Sequence, residues 1–297
     1  MSLFGRRIAV LGGDRRMAEV VRQFLASGAS VRVTGAPPEV MDGAEVAATA
    51  REALQGAEVV VLPVQGSTTE GKVFTVEGAP NPILDRAALA GVSQGALLFT
   101  GIGNPAIRSL CAEAAIPCIE YRESDEFAIW NSIPSAEGAI QMAMEASPLT
   151  LFGSRAIVLG FGRTGRSIAL LLRGLFTEVV VAARKESDLA RIWASGYRYL
   201  PLEDLAEGAK TVDFIFNTVP APVVTAQVIE SLPTHGVVID VASAPGGTDF
   251  EAAARLGRTA KLAPGLPGIV APVTAGRIIA DMITRRFALQ STEGAGI

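Results

Sequence analysis

A strand, a glycine turn and a helix follow one another without interruption between residues 155 and 175. The apolar run at 156–159 is typical of a buried parallel strand, and apolar residues recur at helical spacing after the turn. Between them Gly160, Gly162 and Gly165 stand at G-x-G-x-x-G spacing. Such glycines permit a tight turn, close approach of backbone to a pyrophosphate, and close packing of helix against strand. We therefore predict a dinucleotide site, with a glycine turn that serves packing alone as the alternative.

The composition limits what the rest of the chain can do. Its 297 residues exceed the usual size of one domain, and 49% hydrophobic with 19% charged residues indicates a globular protein with ample core. The net charge of −4, without a long basic run, argues against nucleic acid as a partner. No apolar stretch reaches membrane-span length and no signal-peptide core is present, so we expect a cytoplasmic protein. Cys111 and Cys118 have no metal-ligand company, and we expect no metal site.

Strands alternate with helices along the whole chain, which predicts an α/β fold of two doubly wound parallel-sheet domains, the second a Rossmann dinucleotide-binding domain. We assign 1–131 to an N-terminal substrate domain, flavodoxin-like or Rossmann-like, 132–150 to a connecting helix, and 151–270 to the Rossmann domain. Residues 271–297 carry a C-terminal helix, for which packing back on the N-terminal domain is one option. The predicted strands lie at 8–11, 30–34, 58–62, 96–100 and 117–121 in the first domain and at 155–159, 179–183, 198–200, 212–216, 237–241 and 260–262 in the second.

The connecting helix is predicted from residue 132 to residue 146. Pro134 suits the first position of a helix, where its missing N–H costs nothing, and Glu137 then falls in the first turn.

Ligands of open α/β sheets bind outside the carboxyl ends of the strands. After the second strand of the Rossmann domain, Arg184 and Lys185 stand where a carboxylate would bind the ribose of NAD. Two cations favour a 2′-phosphate, so we predict NADP with NAD possible, the alternative being solvated charges at a helix start. The other coenzyme-binding candidates are Gly160, Gly162, Arg163, Thr164, Gly165, Asn217, Thr218, Val219, Pro220, Asp240, Ala242, Gly265 and Pro267. Asp240 is equally well explained as a hydrogen-bonded turn carboxylate.

Substrate-binding candidates come mainly from the first domain. Gly12 and Gly13 lack the third glycine of a second dinucleotide site, so we read them as a tight turn. The one histidine, His235, precedes its strand and is therefore at the wrong end for acid–base work at the carboxyl edge. The cations that could hold a carboxylated substrate are Arg15, Arg16, Arg108 and Arg122. Arg15 is the foremost of them because it follows the glycine turn directly. The full set of substrate-binding candidates is Asp14, Arg15, Ser67, Thr68, Asn104, Asn131 and Ser135.

Several longer segments carry a family likeness. They comprise residues 12–15, 101–105, 131–140, 158–165, 216–221, 245–250 and 262–272. The chain resembles the family of the dipicolinate synthase A subunit in all of them, across nearly its full length. Two positions depart from the family pattern, because Ala244 and Val273 stand where the family often has lysine.

The resemblance implies oxidation of dihydrodipicolinate, or its hydrated precursor, to dipicolinate with NAD(P)⁺. It also implies that a flavoprotein-like B subunit is the partner, that the substrate is a dicarboxylate, and that the protein has a place in spore formation in the mother-cell cytoplasm; a homo-oligomer is possible. In this scheme Arg15 with the backbone of Gly12 and Gly13 holds a carboxylate. Asn217 and the 264–268 loop align the ring, and Glu137 accepts a proton unless it only caps its helix.

Two other functions remain open from the sequence. One is another two-domain NAD(P)-dependent dehydrogenase, of the alanine dehydrogenase or hydroxy-acid type, for which no acid–base group is evident. The other is a non-catalytic, cofactor-binding partner subunit.

Overall fold

A computed structural model of the chain describes residues 3–36 and 42–293, and it contains two parallel six-stranded sheets. The first sheet has the strand order β3-β2-β1-β4-β5-β6. Its strands are β1 (Arg7–Leu11), β2 (Ser30–Thr34), β3 (Glu45–Val46), β4 (Val59–Val61), β5 (Leu97–Thr100) and β6 (Cys118–Glu120). Each matches a predicted strand within one or two residues except β3, which was not predicted because its two exposed residues include a single apolar one, Val46.

The helices around the first sheet leave its carboxyl edge to loops. They are α1 (Arg16–Ala26), α2 (Ala50–Leu54), α3 (Arg86–Leu89) and α4 (Pro105–Glu113). The central strands are buried on both faces, as their continuous apolar runs require. Residues 62–85 form a long connection with isolated bridges in place of regular strands.

The second sheet has the order β12-β11-β10-β7-β8-β9, so that β7 lies at the centre of the arrangement. Its strands are β7 (Arg155–Leu159), β8 (Glu178–Ala183), β9 (Arg198–Pro201), β10 (Phe214–Asn217), β11 (Val237–Asp240) and β12 (Thr259–Leu262). Its helices are α6 (Arg163–Gly174), α7 (Glu186–Ala194), α8 (Leu205–Ala209), α9 (Ala226–Ser231), α10 (Phe250–Arg255) and α11 (Leu266–Val270). This strand order is that of a Rossmann domain, and the predicted α/β fold class is confirmed.

The chain divides into two compact units with a discontinuous first part. Unit 1 comprises residues 1–130 with 271–297, and unit 2 comprises residues 131–270. The C-terminal helix α12 (Pro272–Glu293) packs on α1, and its Ile279, Ile283 and Phe287 belong to the same apolar core as the strands β1 and β2.

The predicted connecting helix begins earlier than expected. Helix α5 runs from Asp125 to Ala146, so Pro134 lies inside it and not at its first position. The hydroxyl of Ser124 accepts a hydrogen bond from Phe127 N (3.4 Å), and acidic residues follow in the first turn. A capping hydroxyl and acidic residues in the first turn are the usual features of a helix N-terminus. The helix continues through Pro134 because the loss of one backbone N–H is tolerated where the flanking turns are packed.

Candidate functional site

The glycine turn between β7 and α6 has three glycines with three different surroundings. Gly160 has φ of +89°, a conformation that favours glycine. A Cβ on Gly165 would lie 2.1 Å from the carbonyl oxygen of Gly160, so that only glycine lets the helix approach the strand. A Cβ on Gly162 would meet nothing within 4 Å. The first and third glycines therefore build the turn, while the second faces open space.

The N-terminus of α6 is arranged to receive an anion. Gly162 is the N-cap residue, and no side chain caps the helix there. Uncapped N–H groups and the positive end of the helix dipole attract phosphate. Arg163 is exposed and Thr164 is half-buried in this first turn, while Arg166 lies 4.9 Å above the ring of Phe161. The residues present therefore fit the pyrophosphate of a dinucleotide.

The predicted cations after β8 are exposed. The side chains of Arg184 and Lys185 have no hydrogen bond or ion pair with any described residue, and Lys185 accepts only through its backbone carbonyl, from Asp188 N and Leu189 N. The acidic residue one turn further, Asp188, is occupied by Arg191 at 2.9 Å. The two positive charges are therefore available to an anionic ligand at the carboxyl end of β8.

The loop after β10 is built by its own polar side chains. Asn217 is fully buried; its amide donates to Val219 O (3.1 Å) and its Oδ1 accepts from Val219 N (3.0 Å). Thr218 donates its hydroxyl to Leu159 O at 2.7 Å, which ties this loop to the end of β7. Asn217 thus shapes the loop and turns its polar atoms inward, and Pro220 at the loop's far side is exposed.

Asp240, at the end of β11, has an equally closed environment. Its carboxylate accepts hydrogen bonds from Ala242 N (3.0 Å), Gly247 N (2.8 Å) and the Thr248 hydroxyl (2.7 Å). Gly247 in turn leaves no room for a Cβ, which would lie 2.2 Å from Ala221 O. Asp240 therefore holds the loop after β11 against the loop after β10. These hydrogen bonds are those expected if Asp240 is a turn carboxylate and not a coenzyme ligand.

The last predicted coenzyme residues follow β12. Gly265 has φ of +69° and is exposed, whereas Pro267 is buried at the start of α11. A Cβ on Gly138 of α5 would lie 2.9 Å from Leu266 Cβ. The 264–268 loop is thus held from behind by close packing of α5 on α11.

In unit 1 the Gly12–Gly13 turn is packed by the long 62–85 connection. Both glycines have positive φ, +62° and +102°. Gly13 N donates to Phe74 O at 2.8 Å, and a Cβ on Gly12 would lie 2.4 Å from that oxygen. The backbone N–H of Gly13 is therefore already used.

The charged residues that follow this turn separate into an exposed and a buried arginine. The side chain of Arg15 is exposed and has no hydrogen bond or ion pair to a described residue. Asp14 forms a two-pronged ion pair with Arg16, whose Nη2 lies 2.5 Å from Oδ2. Burial raises the pKa of Asp14, but the hydrogen bonds and charge of Arg16 outweigh it, so the pKa lies below its usual value.

Three other substrate candidates meet as one connected group. The Asn104 side chain caps α4 by accepting from Ile107 N (2.9 Å), and its amide donates to Ser67 O (2.7 Å) and Thr68 O (3.3 Å). The Ser67 hydroxyl donates to Thr68 O at 2.9 Å. Asn104 therefore fixes the 66–68 backbone at the carboxyl edge of the first sheet.

Of the three candidates on α5, Asn131 and Ser135 share a face and Glu137 does not. Ser135 donates its hydroxyl to Asn131 O at 2.8 Å, one turn apart. Glu137 lies roughly 200° around the helix from Ser135, and it is exposed. Glu137 also lies roughly three turns inside the helix, so the alternative that it caps the helix is wrong, because the first turn is at Asp125.

Two features were not predicted from the sequence, the burial of Arg16 and a hydrogen bond between two buried serines. Arg16 is only 4% exposed, and nothing in the sequence separates it from its neighbour Arg15 except that position 16 faces the core of an amphipathic helix. The buried hydroxyls of Ser132 and Ser167 lie 2.7 Å apart and join α5 to α6. A helical projection of α5 and α6 identifies both serines as facing inward.

His235 lies at the opposite edge of its sheet, as expected. Its Nε2 is 2.8 Å from Asp213 Oδ1, and Asp213 also accepts from Arg155 N at the start of β7. Within the described residues no His, Cys, Asp or Glu cluster is suited to a metal ion. None of the helices described has the length and apolar character to cross a bilayer.

Comparison with known proteins decides the family. A model of the N-terminal domain of the dipicolinate synthase A subunit matches residues 7–122, and one of the D-isomer specific 2-hydroxyacid dehydrogenase NAD-binding domain matches residues 132–245. The dipicolinate synthase A subunit of Bacillus subtilis (strain 168) is 37% identical over 98% of this chain and 99% of its own. The chain belongs to the family of the dipicolinate synthase A subunit. The predicted resemblance is confirmed, and unit 2 carries a dehydrogenase-type domain for a nicotinamide dinucleotide.

Two solved structures of the family share the fold over their whole length. The dipicolinate synthase A subunit from Bacillus halodurans has a TM-score of 0.89 at 35% identity, covering 97% of this chain and 99% of that one. The A chain from Bacillus subtilis has a TM-score of 0.87 at 36% identity, covering 98% and 99%.

Proposed function

We propose that this chain oxidises dihydrodipicolinate, or its hydrated precursor, to dipicolinate with NAD(P)⁺ as the A subunit of a two-subunit dipicolinate synthase. The observation that carries the proposal is the uncapped N-terminus of α6, where Gly162 opens onto empty space in a chain of this family. Aromatisation of the ring drives such an oxidation, so positioning and electrostatics supply most of the catalysis.

The backbone at 162–165 would hold the pyrophosphate, and the loops after β10 and β11, which are fixed by their own hydrogen bonds, would lie beside the coenzyme. Arg184 and Lys185 favour the 2′-phosphate of NADP, with NAD as a weaker alternative. When bound, the coenzyme supplies a hydride acceptor, which no side chain of this protein can replace.

For the substrate we assign a carboxylate to the exposed cation Arg15, beside the Gly12–Gly13 turn. The 66–68 backbone, fixed by Asn104, forms the neighbouring wall at the same sheet edge. Glu137 remains our candidate to accept the proton released from the ring, because its carboxylate is exposed and has no described partner. Asn217 acts through the shape of its loop, since both of its polar atoms are occupied.

The name of the family implies further subunits, and we propose that the partner of this chain is a flavoprotein-like B subunit. Expression in the mother cell during spore formation stays a prediction of the family resemblance, as does a homo-oligomer.

The proposal is tested by turnover. The purified chain is mixed with candidate dihydropyridine dicarboxylate, NADP⁺ or NAD⁺, with and without the B subunit, and the absorbances of dipicolinate and reduced coenzyme are followed. We expect both to rise together, faster with NADP⁺. Coenzyme binding without dipicolinate formation, even with the B subunit present, identifies a non-catalytic cofactor-binding protein instead.

Coenzyme choice has its own test. The double variant R184A/K185A is expected to lose NADPH affinity by about 10-fold or more, since each charge-assisted contact to a phosphate is strong, and to keep NADH affinity. K210A is the control, because Lys210 is exposed on the far end of α8 and pairs with Glu207. Unchanged affinity for both coenzymes assigns these cations to solvent, and an equal loss for both assigns them to a part that the two coenzymes share; either result contradicts recognition of the 2′-phosphate.

A further inference from the structure

Two consecutive arginines at the carboxyl end of β1 have opposite environments. Arg15 is exposed, whereas Arg16 is 4% exposed although it carries a full charge. Charged side chains are rarely buried without partners that compensate for lost hydration. The hydrogen bonds of the Arg16 guanidinium therefore have to be accounted for atom by atom.

Asp14 satisfies only part of this guanidinium. Nε donates to both carboxylate oxygens (2.9 and 3.1 Å), and Nη2 donates to Oδ2 (2.5 Å). Nη1, with two further N–H groups, has no partner among the described residues. Nη1 is also not fully buried. Among the described residues the one fully buried side-chain polar atom without a partner is Arg258 Nε, so the unpartnered Nη1 must be accessible. Nη1 therefore keeps a route to ligand or solvent.

The surroundings hold the guanidinium still. Asp14 Oδ1 also accepts from the backbone N–H of Arg16 at 3.0 Å, and the nearby Gln65 side chain helps to lower the pKa of Asp14. Tyr121, which is fully buried beside the pair, donates to Leu62 O. Burial raises the pKa of Tyr121, so this wall stays neutral. An arginine fixed in this way loses little conformational entropy when it binds a second anion.

We infer that Nη1 of Arg16 binds one carboxylate of the dicarboxylate substrate and that Asp14 is the positioning residue that aims it. The inference rests on the proposed function, since it names the group that recognises that substrate. Asp14 thus contributes to substrate binding through Arg16 and not by direct contact. The exposed Arg15 adds attraction and one mobile contact, while Arg16 supplies the oriented one.

The test measures binding of dipicolinate itself by titration calorimetry, in the full chain with coenzyme present. R16K keeps the charge and the contact with Asp14 but loses the planar fork, and we expect the dissociation constant to rise about 10-fold or more. D14N keeps Arg16 but loosens its orientation, and we expect a smaller rise in the same direction. Pyridine-2-carboxylate serves as a one-carboxylate probe and should bind more weakly to the unaltered chain.

A purely structural ion pair is distinguished by the double variant D14L/R16M. Replacing a buried pair by apolar side chains of similar size is often neutral for stability, so thermal unfolding should be little changed while dipicolinate binding is lost. R15A should weaken binding less than R16K, and R286A, an exposed arginine on α12, should not change it.

Dipicolinate binding that survives in both R16K and D14L/R16M overturns the inference and leaves the proposed function intact. Failure of the unaltered chain to bind dipicolinate, together with absence of turnover when the B subunit is present, overturns both.

Discussion

At the scale of single residues, the environment of a side chain matters more than its chemical type. Arg15 and Arg16 are the same amino acid one position apart, yet one is exposed and the other is fixed by Asp14. Asn217 and Asp240 lie at the expected carboxyl edge of the sheet, but their side-chain polar atoms are hydrogen-bonded to the backbone of their own loops. The groups left over for ligands are backbone N–H groups and unpaired cations.

Gly162 offers the sharpest residue-scale prediction. G162A adds a methyl group where the structure has open space, and φ of −77° suits alanine, so the fold should be unaffected. The methyl group would occupy the approach of the pyrophosphate, so we expect NADPH affinity to fall about 10-fold or more, measured by coenzyme fluorescence.

G174A is the matched control, because Gly174 lies in the same helix and a Cβ added there would also meet nothing within 4 Å. It should leave coenzyme affinity unchanged. Equal coenzyme affinity in G162A and the unaltered chain would show that the phosphates do not approach this turn.

Glu120 predicts a dependence of stability on pH. A hydrogen bond from Arg108 lowers the pKa of Glu120, with Gly103 N as a further donor and burial opposing both. A carboxyl whose pKa is lowered on folding stabilises the protein above its unfolded pKa, and that contribution is lost as pH falls through the folded value. E120Q should therefore show a weaker loss of thermal stability between about pH 5 and pH 3.

E123Q is the comparison for this measurement, since Glu123 is exposed in the turn after β6. Its acid unfolding curve should follow that of the unaltered chain. Parallel curves for E120Q and the unaltered chain would remove Glu120 from the acid response.

At the scale of elements, glycine and ion pairs decide how helices pack. Helix α12 approaches α1 closely because Gly276 lies against it. The buried carboxylate of Glu19 on α1 accepts from Arg277 Nε at 2.8 Å and also from Gln23. Burial raises the pKa of Glu19, but these hydrogen bonds and the charge of Arg22 lower it overall. The two helices are therefore joined by close packing and by a compensated charge.

G276A is predicted to destabilise unit 1. Its Cβ would lie 2.5 Å from Arg16 O and 2.7 Å from Glu19 Cβ, and neither backbone nor helix can yield cheaply. We expect a loss of roughly 1–3 kcal/mol in the free energy of unfolding by denaturant, whereas G174A should be neutral or stabilising. A G276A chain as stable as the unaltered one would mean that the two helices separate without cost.

At the scale of the whole molecule, the chain leaves its first unit and returns to it. Unit 2 is continuous from 131 to 270, while unit 1 needs residues 271–297 to complete its core. The return segment contributes Ile279, Met282, Ile283 and Phe287, all at most 6% exposed. Burial of one such side chain is worth about 1.5–3 kcal/mol, so the core without them loses a large share of its stability.

Fragments test this division. Residues 131–270 alone should unfold cooperatively on heating and bind NADPH, because their cores and the proposed coenzyme-binding loops are internal to them. Residues 1–130 alone should not fold cooperatively, and joining 271–297 through a flexible linker should restore folding. Circular dichroism melting measures all three. Cooperative unfolding of 1–130 without α12 would contradict the prediction.

The sequence by itself determined the strands and the glycine turn. Apolar runs such as 156–159 and 237–240 need only local pattern to become buried strands, and the spacing of Gly160, Gly162 and Gly165 needs only the strand before it and the helix after it. The short strand β3 was missed because its signal is weak. The start of α5 was missed because the prediction gave Pro134 more weight than the start signals at Ser124 and Asp125.

Only the tertiary structure decided which polar groups remain for a ligand. The carboxylate of Asp240 is hydrogen-bonded to Gly247 and Thr248, and the hydroxyl of Thr218 is bonded to Leu159 O. Asp14 is paired with Arg16. The fold brings all of these partners into place. A motif states where a side chain is along the chain, but a hydrogen bond depends on distances of about 3 Å between atoms that are set by packing. For that reason the glycine turn could be predicted from the sequence, whereas the burial of Arg16 and its pairing with Asp14 could not.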